Sequence, residues 1–550
     1  MRYPLGIQTF SKIIEDNLLY IDKTAIIDDL IQQGSVYFFS RPRRFGKSLL
    51  ISTLEALFSG HKNLFEGLAI ADSDYPFTVY PVIRMDFSDE EFNTADDLRA
   101  HIHSILNEYA QKYDITLNSE TFAKRFKELL AKLQDKTGQA VVLLVDEYDK
   151  PILNNLKKPV LGEIKAVISA FYAAVKAQDK YLRFVFITGV SKFAKVSVFS
   201  GMNNMTDISM DNAYATLCGV TQQELEHHFD GAIDDLVTAQ NGPDRLSKDE
   251  LLAKIRYWYN GYRFEEDAPS VYNPYSLLSL FTKKKFKNYW FTTATPTFLL
   301  NLLQDKQYDL SNLSQLEIGD SAFAATEPED MDVLSLFVQT GYLTIKGYND
   351  PLYVLDFPNY EVKRSFYDSV AARFGHLNTG LGQAYTVNLI QQLNAGDLDA
   401  FFATLNKFFA NIPYDISIDE EKYYQSLFYA IFTLLGLSIE VEVRTNKGRM
   451  GTQTSARSLC SHEVSPRMGE GSTTRTFSST NNTINCVLQT EDVVYIIEFK
   501  LKDSKEAALK QIHTKQYAQK YHNCGKSIVL LGVEFDQKSR NIGDFVKETL

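Results

Sequence analysis

The sequence predicts an α/β protein with a mainly parallel sheet, then a helix-rich module, then a second and smaller α/β domain. Two observations lead to this fold class. Short apolar runs bounded by polar turns alternate with helical stretches over residues 1–215, as in βαβ units. The same alternation returns near the carboxyl end, after a central region in which helical patterns dominate.

Composition indicates a globular protein of two or three domains. The chain has 550 residues, of which 45% are hydrophobic and 23% charged, and its formal net charge is −12. So acidic a chain is not a nucleic-acid coat, although a local basic groove would still bind DNA or RNA. The four cysteines have no CxxC spacing, which argues against a disulfide framework and against a structural zinc site.

The sequence predicts no membrane association. No apolar run reaches the roughly 18 residues that cross a bilayer, and the N-terminal residues have no signal-peptide pattern. We therefore expect a cytoplasmic protein. No feature of the sequence predicts its oligomeric state.

Four strands are expected in the first domain, residues 1–215, because each is a short run of bulky apolar side chains. A helix precedes the first strand, another follows it, and a long amphipathic stretch covers about 95–135. The expected strands are 36–39, 82–86, 140–145 and 184–188.

Residues 216–380 are expected to form a helical or winged-helix module that acts as a lid. The last domain, 381–550, is expected to be an α/β fold with strands at 441–443, 493–497 and 527–531 and a helix at about 504–521. A polar tract at 451–484, rich in serine and threonine, interrupts this domain and predicts a disordered loop.

A phosphate-binding loop is predicted at residues 41–48, between the first strand and the next helix. Gly46 lets the backbone approach an anion, Lys47 would reach the β- and γ-phosphates, and the hydroxyl of Ser48 would bind Mg²⁺. The first position of the general P-loop pattern is Arg41 instead of glycine. The alternative is a basic, solvated turn that binds nothing.

A second signal supports nucleotide binding. The apolar strand at 140–145 is followed by Asp146 and Glu147, which would orient Mg²⁺ and polarise the attacking water, respectively. A strand that merely ends in solvated acids is the alternative. Together the two signals predict a P-loop NTPase sheet that binds ATP and Mg²⁺. Thr188 and Ser191, after the fourth strand, compete for the role of γ-phosphate sensor.

Five runs resemble the bacterial AAA-ATPase-like family, which usually carries a C-terminal PD-(D/E)XK nuclease-superfamily domain. The resemblance spans nearly the whole chain. It implies that arginine is normal at position 41, that Arg41 and Arg44 belong to the nucleotide-binding loop, and that residues 6–8 close the nucleotide pocket. The five runs are Tyr20–Thr24, Arg41–Ser48, Asp146–Pro151, Thr188–Phe193 and Trp258–Tyr262.

The resemblance also implies a restriction-endonuclease-like site around Glu498 and Lys500. Glu498 would bind a divalent metal, and Lys500, two residues later on the same strand face, would orient water or stabilise the phosphate. Taken alone, such a pair is more often a solvated strand edge. Gln511 and Tyr517 resemble a Gln…Tyr pair of some of these nucleases, and Glu421 resembles their helical glutamate. Four lysines would add a basic surface: Lys502, Lys505, Lys510 and Lys515.

The first acid of this nuclease motif is absent. With the polar tract removed, Asn485 stands where the family has aspartate, and an amide is a poor Mg²⁺ ligand. We expect a nuclease-like fold whose cleavage is weak or absent. Substitution of the missing ligand by Glu463 or Glu470 is the less favoured alternative.

Three functions follow. The leading one is an ATP-binding and ATP-hydrolysing enzyme with a degenerate nuclease-like domain. The second is an ATP-coupled, metal-dependent nuclease with DNA or RNA as a partner. The third is a non-hydrolysing switch, in which bound ATP sets the arrangement of the helical module and the C-terminal domain recruits a partner.

Overall fold

The computed structural model describes most residues of the chain. They are 2–156, 158–192, 202, 204–239, 245–290, 299–300, 302–303, 313, 316–323, 333–375, 379–410, 427–435, 478–480, 483–500, 503–536 and 541–550.

The chain forms two compact units. The N-terminal unit comprises Met1–Ile233, Ile255–Ala294 and Leu316–Asn359, and the C-terminal unit comprises Asp234–Lys254, Thr295–Gln315 and Tyr360–Leu550. The three-part division at 215 and 380 stays a prediction.

The N-terminal unit is built on a five-stranded sheet in the order β2-β3-β4-β1-β5, with every neighbouring pair parallel. All residues of β1 and β3 are buried, as expected for strands covered on both faces. The strands are β1 (Val36–Ser40), β2 (Val82–Asp86), β3 (Val141–Asp146), β4 (Leu182–Gly189) and β5 (Thr206–Asp207).

Helices connect these strands and continue beyond the sheet. The amphipathic stretch at 95–135 is two helices, α4 and α5, and α4 begins with a capping box between Thr94 and Asp97. The helices before residue 341 are α1 (Phe10–Glu15), α2 (Thr24–Gln33), α3 (Lys47–Phe58), α4 (Ala95–Lys112), α5 (Phe122–Thr137), α6 (Lys150–Leu153), α7 (Leu161–Lys176), α8 (Gln222–His228), α9 (Asp230–Thr238), α10 (Lys248–Tyr259), α11 (Pro274–Lys283) and α12 (Val333–Thr340).

A small antiparallel sheet in the order β6-β8-β7 completes the N-terminal unit. Its strands are β6 (Leu316–Ile318), β7 (Thr344–Asn349) and β8 (Leu352–Asp356).

The C-terminal unit contains a mixed sheet in the order β13-β12-β11-β10-β9, in which only the β11–β12 pair is parallel. Its strands are β9 (Ser478–Thr480), β10 (Thr483–Gln489), β11 (Val493–Lys500), β12 (Ser527–Asp536) and β13 (Asn541–Thr549). Its helices are α13 (Tyr360–Phe374), α14 (Thr379–Asn394), α15 (Leu398–Phe409), α16 (427–435) and α17 (Lys505–Thr514).

Helix α17 connects β11 to β12 and packs on both strands. Ser504 caps it by accepting from the backbone N–H of Ala507 at 3.2 Å. Its first turn lies so close to β12 that a Cβ at Gly532 would be 2.2 Å from the carbonyl oxygen of Lys505. The buried side chains between helix and sheet include Ile512, Ile496 and Leu530.

The predicted fold class is confirmed: a parallel α/β sheet of P-loop type is followed by a mixed C-terminal sheet consistent with a nuclease-like domain. The last residues of the tract expected to be a loop, 478–480 and 483–484, instead lie in β9 and β10. The strand expected at 441–443 lies outside the described residues. Among the described helices, none has both the length and the apolar character needed to cross a membrane.

Candidate functional site

The candidate nucleotide site lies at the carboxyl edge of the parallel sheet, where β1, β3 and β4 end side by side. The loop after β1 leads directly into α3, whose first residue is Lys47. Gly46, the N-cap of α3, has φ 95°, a left-handed conformation that glycine adopts without strain. The backbone N–H groups of this first turn therefore face an edge suited to an anion.

Lys47 is buried at this edge, with 5% of its surface exposed. Its ammonium donates to the carbonyl oxygens of Arg41 at 2.9 Å and Pro42 at 3.2 Å. Burial lowers the pKa of Lys47, while the nearby charges of Glu147, Asp146 and Asp149 raise it. The structure thus brings the loop lysine and the acids after β3 together, and Ser48 is half-buried in the same helical turn.

Among the described residues, Asp146 is a candidate for a metal-binding carboxylate. It is 1% exposed, and its Oδ1 accepts from the hydroxyl of Thr188 at 2.7 Å. Its Oδ2 is buried and has no hydrogen-bond partner among the described residues. A buried carboxylate oxygen without a donor is costly, so this atom suits Mg²⁺ or a water bound to Mg²⁺.

Glu147 follows Asp146 in a left-handed conformation, with φ 50°. Such a backbone is strained for glutamate, and strain of this kind concentrates at functional sites. Burial raises the pKa of Glu147, and the charge of Lys47 opposes that rise. A carboxylate that holds a proton more readily than usual is suited to general-base chemistry.

Asp149 is a buried acid to which sequence reasoning assigned no role. Its Oδ2 accepts from the backbone N–H groups of Val190 at 3.0 Å and Ser191 at 2.6 Å, so it holds the turn that follows β4. Only glycine fits at position 189, because a Cβ there would lie 2.6 Å from the ring of Tyr148. The sole signal in the sequence was the position of Asp149 within the Asp146–Pro151 run.

Thr188 lies in β4, near its end, and Ser191 follows the strand, and their competition for the sensor role stays open. Thr188 bonds to Asp146, whereas the hydroxyl of Ser191 has no hydrogen-bond partner among the described residues. Lys192 forms an ion pair with Asp207 at 3.0 Å.

The two arginines predicted to bind the nucleotide have different surroundings. The buried guanidinium of Arg41 donates to the carbonyl oxygens of Ser40 at 2.9 Å and Ser209 at 2.8 Å. It also stacks on Phe264 at 3.9 Å, and burial lowers its pKa to about 10. These contacts indicate a structural role for Arg41. Phosphate binding by Arg41, which the family resemblance implies, stays a prediction.

Arg44 is the more available of the two arginines. It packs over the ring of Tyr275 at 3.8 Å, and its Nη1 is buried without a hydrogen-bond partner among the described residues. Its backbone is also left-handed, with φ 67°. An unpaired guanidinium nitrogen beside the loop suits an anionic ligand.

A largely apolar cavity of about 690 Å³, including the part open to solvent, adjoins the first turn of α3. Pro4 of the N-terminal segment contributes to it, although residues 6–8, expected to close the nucleotide pocket, do not line it. Its other walls come from the segment before α2, the loop, α3 and the turn before α8, and include Tyr20, Phe45, Leu49 and Cys218.

In the C-terminal unit, Glu498 lies on β11 with no exposed surface. Neither carboxylate oxygen has a hydrogen-bond partner among the described residues, and burial raises the pKa of Glu498 to about 7, against the opposing charge of Lys500. The ammonium of Lys500 donates to Oε1 of Gln511 on α17 at 2.5 Å, so the structure brings these two predicted site residues together.

The strand positions beside Glu498 do not carry acids. Its register partners are Asn485 on β10 and Gly532 on β12. No group of three or more His, Cys, Asp or Glu side chains suited to a metal occurs in the part of the chain that the structure describes. The residues at this position therefore fit a divalent metal poorly. The remaining candidates, Glu421, Glu463, Glu470 and Lys502, lie outside the described residues.

Comparison with known proteins finds one family model that matches a segment of the N-terminal unit and another that matches a segment of the C-terminal unit. A family model described as predicted AAA-ATPase matches residues 4–199, and one for the PD-(D/E)XK nuclease superfamily matches residues 480–545. A relative from Azotobacter chroococcum mcd 1, described as an uncharacterized protein in the vnfD 5′ region, is 38% identical over 566 residues. The alignment covers 100% of this chain and 99% of that relative.

Arg41→Met tests whether the buried guanidinium is structural. We expect the free energy of unfolding to fall by about 3 kcal/mol, because several buried carbonyl oxygens lose their donor. Affinity for ATP, measured on the folded variant by calorimetry, should change by less than about threefold. Arg99→Met, at an exposed position on α4, is the control. Normal stability with a large loss of ATP affinity would instead place Arg41 on the phosphates.

Glu498→Gln tests the buried carboxyl group through the pH dependence of stability. Because the pKa of Glu498 is raised from 4.5 to about 7 in the folded state, its proton stabilises the fold fully below pH 4.5. That contribution is lost as the pH rises through about 7. We therefore expect the variant to exceed the parent in Tm by ~3 °C or more above pH 7, and to match it near pH 4.5. An equal gain at both pH values would contradict this assignment.

Proposed function

Because the chain belongs to the family of predicted AAA-ATPases and ends in a PD-(D/E)XK nuclease-superfamily segment, we propose that it binds ATP with Mg²⁺ and hydrolyses the ATP. The observation that carries this proposal is the unpaired, buried Oδ2 of Asp146, at the sheet edge it shares with Lys47. The protein is then an ATPase.

Each residue of the nucleotide site has a proposed role that follows from its position. Lys47 leaves its two carbonyl partners and neutralises the β- and γ-phosphates, assisted by the N–H groups around Gly46. Ser48 and Asp146 would hold Mg²⁺, which would neutralise charge on the phosphates. Arg44 has a free, buried nitrogen for the same phosphates.

Glu147 is the proposed general base. It accepts a proton from a water molecule as the water oxygen bonds to the γ-phosphorus and the bond to the bridging oxygen breaks, giving ADP and phosphate. Thr188, bonded to Asp146, is placed to respond to the γ-phosphate through that carboxylate.

The apolar cavity beside α3 is the proposed site of the nucleoside. It adjoins Gly46 and therefore continues from the phosphate-binding turn. Its lining of apolar and aromatic side chains is typical of sites that bury a base.

For the C-terminal unit we propose a nuclease-like fold with weak or absent cleavage. Asn485 and Gly532 flank Glu498 in the sheet where an active site needs a second carboxylate. Lys500 is the residue that would act in catalysis if a metal were held there. Binding of DNA or RNA without cleavage remains compatible with this proposal.

Lys47→Ala tests the ATPase proposal. We expect phosphate release to fall by ~100-fold or more, since the variant loses the charge that stabilises the transferring phosphoryl group. Lys124→Ala, at an exposed position on α5, should keep the parent's rate. Assays with and without DNA separate the functions: steady basal turnover supports this proposal, stimulation by DNA supports the coupled nuclease, and tight binding without turnover supports the switch.

Plasmid nicking with Mg²⁺ or Mn²⁺ tests the C-terminal proposal. The parent should nick no faster than the buffer, whereas Asn485→Asp, which restores the missing carboxylate, should gain activity that a further Glu498→Ala removes. Robust cutting by the parent that Glu498→Ala abolishes would show the site to be active.

A further inference from the structure

A basic turn, residues 283–287, lies where α11 ends in the N-terminal unit. Residues 268–304 contain no Asp or Glu, although the chain has 69 of these acids. The lysines of the turn are also the only Lys, Arg or His residues of that segment, and all of them are exposed. They are Lys283, Lys284, Lys285 and Lys287. Positive charge is therefore concentrated at a few neighbouring surface positions of a chain whose net charge is −12.

Two buried tyrosines hold the backbone of the basic turn. The hydroxyl of Tyr259, on α10, donates to the carbonyl oxygen of Lys287 at 2.9 Å and accepts from its backbone N–H at 3.0 Å. The hydroxyl of Tyr289 donates to the carbonyl oxygen of Lys285 at 2.5 Å. Tyr259 has no exposed surface, and Tyr289 is 4% exposed. Because these contacts fix the backbone, little of it has to be ordered when a partner binds.

The aromatic residue of the turn faces the protein. The ring of Phe286 is half-buried and packs against Trp258 at 5.6 Å between ring centroids. It also stacks on Tyr259 at 6.0 Å, with an angle of 7° between the rings. Phe286 thus anchors the turn, and the lysines on either side of it are the groups that solvent meets.

The charges of the turn are not neutralised by acids. Lys283, Lys285 and Lys287 form no ion pair within the described residues. The ammonium of Lys283 lies over the ring of Tyr289, 4.9 Å from the ring centroid, which orients the side chain without cancelling its charge. These ammonium groups are therefore available to an anionic partner.

We propose that the basic turn binds the phosphodiester backbone of DNA or RNA without reading the base sequence. Closely spaced ammonium groups bind such a backbone because their contacts release its condensed counterions. Contacts to phosphate alone carry no sequence information. A segment of the chain matches the PD-(D/E)XK nuclease superfamily, so nucleic acid is the polyanion that suits the rest of the protein. The inference depends neither on ATP hydrolysis nor on cleavage.

An anionic membrane fits the basic turn less well. Basic segments that lie on lipid surfaces combine their lysines with large apolar side chains that enter the bilayer. The only apolar side chain of the turn, Phe286, is engaged by Trp258 and Tyr259. Among the described residues, the large apolar side chains that are exposed lie elsewhere, at Val79, Tyr348, Leu381, Val387 and Leu550.

The test measures binding of the full-length protein to a fluorescein-labelled DNA duplex of about 20 base pairs, and to RNA of the same sequence, over about 50 to 200 mM KCl. The basic-turn variant combines Lys283→Ala, Lys285→Ala and Lys287→Ala. We expect it to bind at least ~10-fold more weakly than the parent. The slope of log affinity against log salt should become shallower by about 2 to 3, because each lost phosphate contact removes about one.

A matched control removes the same charge from other exposed positions of the N-terminal unit, by Lys124→Ala, Lys127→Ala and Lys180→Ala together. It should keep the parent's affinity within about threefold. Equal losses in the two variants overturn the inference, and so does an unchanged affinity and slope in the basic-turn variant. A parent that binds neither DNA nor RNA also overturns it. Vesicles containing phosphatidylserine are the second ligand, and if the basic-turn variant loses only vesicle binding, the turn belongs to a lipid surface and the inference is wrong.

Discussion

The N-terminal site depends on keeping one ammonium group buried beside carboxylates. Lys47 has almost no contact with solvent, and burying a charge is costly unless partners compensate. Two loop carbonyl oxygens bind it directly, and three acids after β3 lie near enough to raise its pKa against burial. An incoming polyphosphate would replace the carbonyl partners with stronger, charged ones.

The strand order makes this arrangement possible. Because β4 lies between β1 and β3, the end of β4 is in contact with both the phosphate-binding loop and the acid pair. Thr188 therefore reaches Asp146, and the backbone of Arg41 bonds to the carbonyl oxygen of Gly189 at 3.2 Å.

The C-terminal unit has a mixed sheet consistent with a nuclease-like domain, and among the described residues neither register partner of Glu498 is an acid. The βαβ connection through α17 places Gln511 against Lys500, and the helix packs on β12 where Gly532 leaves space. Glu498, however, is fully buried, and burial raises its pKa to about 7. A carboxyl group that keeps its proton more readily is a weaker metal ligand, because metal ligands must be deprotonated.

The sequence alone predicted β1 to β4, β11 and β12 and the position of the loop after β1, because apolar runs and a Gly-Lys-Ser helix start are local patterns. The sequence also identified Asp146 and Glu147 as candidate site residues after an apolar strand. It identified Asn485 as the residue that stands where the nuclease motif has aspartate. The contacts of Asp149 and Arg41 needed the tertiary structure. Their partners, Ser191 and Ser209 among them, are distant in the chain, and whether an arginine meets a carbonyl, a ring or open solvent depends on contacts that only folding creates.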